Sequence, residues 1–304
     1  MKKSISIWSF PATLALTEKL LLAREAGFDG FEIDLSDDGP LTLGSSVKEI
    51  AAVRTLAERS GVQLSGLATG LYWGANPASD NPAIRSRAEI ILQKQIEMAR
   101  LLRLDAILIV PATVGADFIP NCEIVPYDLA WQRATNFIRA ALPAAEKAHV
   151  RICVENVWNK FLLSPLEMRQ FVAQFDSEWV GVYFDVGNTL ATGYPEHWIN
   201  ILGRQIHRVH LKDYRRAVGS VDGFVEILSG DVNWPVVMAA LRAIGYNGWL
   251  TAEMIPPVPF YKYAPETLLF NTSRAIDALL ALPPLDGESV GSPRATNQKR
   301  VEND

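Results

Sequence analysis

Cysteine, histidine, long apolar runs and surplus positive charge are all scarce in this 304-residue chain. Its two cysteines, Cys122 and Cys153, are too few for a disulfide framework and suit a reducing compartment. No apolar run is long enough to span a bilayer. Lys and Arg number 29 against 34 Asp and Glu, a net charge of -5. That balance, with a pI near 5.5, gives no electrostatic reason to expect nucleic acid or an anionic membrane as partner. A glycine-rich GxGxxG turn after the first strand is also missing, which removes the usual mark of a dinucleotide-binding open sheet. The opening "MKKSISIWSFPATLALTEKL" has lysines before an apolar stretch, as a secretory signal does. Ser4, Ser6, Ser9 and Pro11 interrupt it and no clear cleavage site follows, so it is read as a first strand and the protein is expected in the cytoplasm.

What is present is alternation. Short β-branched and aromatic runs fall at Ser4–Phe10, Phe31–Leu35, Gln63–Thr69, Ala106–Pro111, Arg151–Val157, Val180–Val186, His207–Lys212 and Trp249–Met254. Between them lie stretches with apolar residues three and four apart, among them Ser46–Arg59, Ala83–Leu102, Ala130–Ala148 and Trp234–Ala243. Eight such units predict a single-domain α/β protein, a (β/α)8 TIM barrel over residues 1–282. "AGFDGFEI" (26–33) and "IGYNGWLTAE" (244–253) echo one another: glycine, aromatic, Asp or Asn, glycine, strand. Gly27 and Gly245 are expected to cap helices before turns into strands. Residues 283–304 are polar, Pro- and Gly-bearing and aperiodic, and are expected to form a disordered tail.

In such a barrel chemistry collects where strands end. "RICVENVW" ends in Glu155 and Asn156, and "VGVYFDVGN" in Asp185. "IHRVHLKDY" carries His210, Lys212 and Asp213, and "WLTAEM" carries Glu253. One strand-end acid is ordinarily a helix cap or a surface ion-pair partner. Three carboxylates gathered in one barrel mouth repel one another and require a cation. Three oxygen ligands with one imidazole and no thiolate favour Mn2+, Mg2+ or Co2+ over a structural zinc. His207 is three residues from His210, so the two side chains leave opposite faces of the strand, and His210 lies nearer its C-terminal end. Trp8, Glu32 and the "TGLYWG" loop with Trp73 are candidates for the wall of a small-molecule pocket at this end of the barrel, because Trp and Tyr faces pack on ligand C–H surfaces. Lys160 and Lys212 are candidates for contact with a substrate anion.

"VENVWNKF", "FDVGN", "RVHLKD" and "LTAEM", in this order, resemble the xylose-isomerase-like TIM-barrel superfamily over roughly residues 4 to 280. Within it they look most like the sugar (phosphate) isomerase/epimerase group, which includes tagatose, psicose and ribulose-5-phosphate 3-epimerases. The resemblance implies one divalent metal, usually Mn2+, on Glu155, Asp185, His210 and Glu253, with the two glutamates also transferring protons. It implies a substrate contact from Arg216, with Arg215 as the alternate, and a homodimer or homotetramer. Many members have histidine three residues after the strand-six aspartate, where this chain has Asn188. That form resembles the ribulose-5-phosphate branch and places Asn188 among the substrate-binding candidates.

The expected reaction is C3 epimerisation of a ketose or ketose phosphate through an enediolate, with proton removal on one face and delivery on the other. Aldose–ketose isomerisation and an inosose- or dehydroshikimate-type dehydration use the same ligands and stay open. A DNA-repair endonuclease would want more histidines than four and a basic groove.

Overall fold

Eight parallel strands close on themselves in the computed structural model, which describes residues 1–254 and 264–285. They are β1 (Lys2–Ser6), β2 (Gly30–Leu35), β3 (Gln63–Thr69), β4 (Ala106–Ile109), β5 (Arg151–Glu155), β6 (Val180–Asp185), β7 (Ile206–Leu211) and β10 (Trp249–Ala252). β10 pairs with β1 on one side and β7 on the other, so the ring has no free edge. β8 (Asp213–Tyr214) and β9 (Phe224–Val225) form a short antiparallel ladder in the loop after β7. The long helices among the described residues are α1 (Leu16–Glu25), α2 (Val47–Ser60), α3 (Pro82–Leu102), α4 (Tyr127–Ala148), α5 (Pro165–Ala173), α6 (Pro195–Leu202), α7 (Trp234–Ala243) and α8 (Pro265–Leu280). This is the single-domain (β/α)8 barrel the alternation predicts. Of the expected tail, residues 286–304 lie outside the described residues. None of the described helices is long and apolar enough to cross a membrane.

Local chemistry sets the element ends. Ser46 caps α2 and Glu49 reaches back to its N–H at 2.7 Å, closing a capping box. Ser164, before Pro165, caps α5 by accepting from the Glu167 N–H at 3.2 Å. Gly27 (φ +90°) and Gly245 (φ +73°) follow α1 and α7 in the left-handed region, so the two echoed segments do occupy equivalent turns into β2 and β10. β1 is shorter than the expected Ser4–Phe10. Ser6 Oγ accepts from the Trp8 N–H at 3.4 Å and opens a 3-10 turn over Ile7–Ser9.

Alternation along the strands separates two kinds of interior. Residues such as Ile33, Val154, Phe184, Val209 and Leu250 join the apolar core under the helices, where Phe184 packs near Trp198 of α6. The other set points into the barrel, and hydrogen bonds cross that space. Ser4 meets Ser65 at 2.6 Å, Arg208 Nε donates to the Ser65 carbonyl at 2.9 Å, and Tyr183 donates to Glu32. Barrel interiors are ordinarily filled with branched apolar side chains. In this one, hydrogen-bonded polar side chains from several strands run through the interior.

Candidate metal centre and active site

Register brings the chemistry-bearing side chains together. Asp185 ends β6 directly opposite His210 on β7, and His210 is opposite Thr251 on β10. Glu155 ends β5, and Glu253 lies one residue past β10 with its N–H on the Leu211 carbonyl at 3.2 Å. Glu155, Asp185, His210 and Glu253 are all buried, and one ligand atom from each lies within 4.8 Å of the others. His210 Nδ1 faces the carboxylates, 2.6 Å from Glu253 Oε2, 3.4 Å from Glu155 Oε1 and 3.9 Å from Asp185 Oδ2. The Lys212 ammonium is 3.0 Å from Glu253 Oε1 and 3.2 Å from Asp185 Oδ2.

These neighbours leave the cluster short of positive charge and of donors. Despite their close cationic neighbours, Asp185 Oδ2 and Glu253 Oε2 have no aligned hydrogen-bond donor among the described residues. Such buried oxygens are costly unless something else binds them. Three carboxylates and one imidazole, converging with free lone pairs, fit a divalent cation with a preference for oxygen. Without one, burial, with Glu253 beside it, pushes Glu155 up to about 7. Burial and the Glu253 charge likewise raise Asp185. Burial would also raise Glu253, but Lys212 and His210 outweigh it and hold that carboxyl at about 2.

Two asparagines fasten this end of the barrel. Asn156 accepts from the Asp185 N–H and donates to the Asp185 carbonyl, each at 2.8 Å. Asn188 Nδ2 donates to the Asn156 carbonyl at 3.0 Å, and its N–H donates to Asp185 Oδ1 at 2.7 Å. Asp213 is a structural hub. It accepts from the N–H groups of Tyr214, Leu228 and Val232 and from Trp234 Nε1, which pins the loop after β7.

A cavity of about 830 Å³ opens above the cluster. Glu155, Glu253 and Lys212 reach its wall, whereas Asp185 and His210 do not. Trp8, Trp73 and Phe118 supply aromatic faces, Trp73 and Phe118 meeting edge-on at 5.1 Å. Asn188 lines this cavity and an adjoining one of about 370 Å³. At the side formed by the loops after β1 and β2, Asp34 accepts from Trp8 Nε1 at 3.1 Å, and Lys19 and Ser36 stand nearby in the wall. Burial raises Asp34, and burial lowers Lys19.

A family model described as xylose isomerase-like TIM barrel matches residues 20–271. The chain belongs to this family. L-ribulose-5-phosphate 3-epimerase UlaE of Escherichia coli O1:K1 is 24% identical, covering 81% of this chain and 84% of that protein. D-psicose 3-epimerase of Ruminiclostridium cellulolyticum is 26% identical, over 75% of this chain and 74% of that one. Among solved structures, D-psicose 3-epimerase from Clostridium cellulolyticum H10, crystallised with D-tagatose, superposes with a TM-score of 0.75. It is 19% identical and covers 94% of this chain and 100% of its own.

Not every candidate reaches the site of this family barrel. Arg216 lies outside the walls of both cavities, with Nη2 on the Gly193 carbonyl at 3.1 Å and its guanidinium 4.6 Å from the Tyr194 ring centre. It is exposed, because the ladder β8–β9 turns the chain outward after Asp213. Arg215 is exposed as well, donating to the Ser229 carbonyl at 3.2 Å. Lys160 pairs with Asp117 at 2.6 Å on the rim of the smaller cavity. Glu32 lines neither cavity: it is fully buried behind His210, its Oε1 3.0 Å from Nε2. Sequence reasoning missed Lys19 and Asp34 as cavity residues. The signal for Asp34 was in "FEIDL", where Glu32 and Asp34 share the inward parity of a buried strand. Lys19 had none, since a lysine in the first turns of an amphipathic helix ordinarily faces water.

Proposed function

We propose that the chain is a divalent-metal-dependent isomerase that inverts C3 of a ketose or ketose phosphate. The carrying observation is the division within the cluster: Glu155 and Glu253 reach the cavity wall while Asp185 and His210 stay beneath it. The names of the relatives, both sugar 3-epimerases, support an isomerase-class enzyme acting on a small sugar. Glu155, Asp185, His210 and Glu253 would hold the ion, with Mn2+ the leading identity and Mg2+ or Co2+ alternatives. When bound, it supplies a Lewis acid for the C2 carbonyl and C3 hydroxyl oxygens.

The protein's own part is proton transfer and orientation. Glu155 comes from β5 and Glu253 from the end of β10, with β6 and β7 between them in the ring. One carboxylate takes the C3 proton from one face of the sugar, and the other carboxyl returns a proton to the opposite face. Their roles exchange with the configuration of the substrate. Lys212, beside Glu253, stabilises negative charge as the enediolate develops. Trp8 and Trp73 cover the sugar's C–H faces, and Asn188 orients hydroxyls from the wall.

The test is incubation with Mn2+ and a panel of ketoses and ketose phosphates in D2O, followed by NMR. Deuterium at C3 with inverted configuration is expected. An aldose product would make the enzyme a ketol isomerase, and loss of water would make it a dehydratase.

A further inference from the structure

His210 uses both ring nitrogens. Nδ1 faces the carboxylate cluster, and Nε2 points the opposite way, 3.0 and 3.1 Å from the two oxygens of Glu32. Glu32 comes from β2, which β1 and β10 separate from β7 in the ring order. It also accepts from the Tyr183 hydroxyl of β6. Glu32, Tyr183 and His210 are all fully buried, and the Tyr183 ring packs 4.7 Å from the imidazole. Among the described residues no lysine or arginine forms an ion pair with Glu32, and the carboxylate meets the imidazole and the phenol.

The backbone has made room for this arrangement. A Cβ on Gly66 of β3 would stand 2.6 Å from the Tyr183 hydroxyl and 3.1 Å from Glu32 Oε2. Three strands thus converge on the far nitrogen of one imidazole, beneath the cavity and out of reach of substrate. A neutral imidazole carries one proton, and once a cation occupies the Nδ1 side the acceptor-only Glu32 carboxylate holds that proton on Nε2. Nδ1 then keeps its lone pair for a cation. Carboxylates behind ligating histidines orient the ring and raise its basicity.

We propose that Glu32 is a positioning residue for the metal site, presenting His210 through Nδ1, with Tyr183 locking Glu32 and Gly66 giving the pair its space. This rests on reading the cluster as a metal site. It adds a third layer to that site, in which the ligands are held from below by residues that touch neither ion nor sugar.

Titration with Mn2+, followed by the EPR signal of the free ion, tests it without assaying turnover. Glu32→Gln is expected to weaken binding roughly 10- to 100-fold. Tyr183→Phe should weaken it less, and Gly66→Ala should fall between them, all three retaining the wild-type circular dichroism spectrum. A merely structural Glu32 would lower the melting temperature and leave Mn2+ affinity unchanged, which would overturn the proposal while leaving the metal reading intact. Wild-type protein that does not bind Mn2+ at all would take both down. Should Glu32→Gln fail to fold, NMR of wild-type protein labelled with [15N]histidine and loaded with diamagnetic Zn2+ decides. The His210 proton is expected on Nε2, and metal on Nε2 with the proton on Nδ1 would sink the idea.

Discussion

The two ends of the barrel interior both bury charge, and they handle it in opposite ways. At the N-terminal end Arg208 is almost fully buried, yet every branch of its guanidinium is used. Nε donates to the Ser65 carbonyl at 2.9 Å, Nη1 to the His207 carbonyl at 2.8 Å, and Nη2 to Asp105. Asp105 reaches solvent, so no charge there is stranded. At the C-terminal end three carboxylates share one imidazole and one lysine, and two of their oxygens lack an aligned donor among the described residues. A saturated charge is architecture, whereas an unsaturated one is held for something that arrives. The first end should therefore answer to denaturant, and the second to metal and substrate.

The largest effect expected is on turnover. Glu253→Gln removes both a proton-transfer group and a ligand, and should lower kcat by roughly 10²- to 10⁴-fold. C3 deuterium exchange measures the loss, and full turnover with any substrate would refute the acid/base pairing. Arg208→Ala should do the converse. It strands the Ser65 and His207 carbonyls and leaves a cavity, costing about 2–4 kcal/mol in urea unfolding. Turnover of the folded protein should stay near wild type.

How much of this contrast could be read from the chain alone depends on the length scale of its cause. Strand ends and parity are local, so "VENVW", "FDVGN", "RVHLKD" and "LTAEM" placed Glu155, Asp185, His210 and Glu253 on one rim. The Gly27 and Gly245 turns were equally legible, since φ > 0 is written into the residue type. Arg216 was not, because its direction depends on how β8 pairs with β9, a contact set by Gly223 packing against Tyr214. The partnership of Glu32 with His210 spans 178 residues and joins strands separated by β1 and β10 in the ring. Nothing in "GFEIDL" announces which histidine its carboxylate will meet.

Metal supplies the next test in size. Mn2+ at 100 times its Kd should stabilise the fold by about 2.7 kcal/mol through mass action. A thermal melt in the presence of Mn2+ against one in chelator reads this directly. The increment should persist in Arg208→Ala and collapse in Asp185→Asn, since only the second touches the unsaturated end.

His207 gives the saturated end a smaller, pH-dependent signature. Burial, reinforced by Arg151 and Arg208, pushes its imidazole down to about 4 from an ordinary 6.5. Between those values the unfolded chain takes up a proton that the native protein refuses. Its contribution is therefore fully present above pH 6.5 and is lost as pH falls toward 4. Allowing for partial exposure, the loss is about 1–2 kcal/mol. His207→Gln should reduce the drop in unfolding free energy between pH 6.5 and 4.5 by that amount.

The smallest effect is expected at Arg216, and it bears on both ends at once. If strand-order resemblance alone governed function, an arginine shortly after the metal-binding histidine would touch substrate, and its loss would raise KM. Here the guanidinium spends its donors on the Gly193 carbonyl and lies against Tyr194, at the surface. Arg216→Ala should cost about 0.5–1 kcal/mol of stability, the worth of an exposed cation–π contact, and leave KM within about twofold of wild type. Trp8→Ala is the contrasting variant, because Trp8 both lines the cavity and donates to Asp34. It should raise KM about tenfold, as expected for the roughly 1–2 kcal/mol of a lost aromatic face and hydrogen bond. A large KM effect at Arg216 with none at Trp8 would mean that the loop after β7 closes over the sugar in a conformation unlike this one.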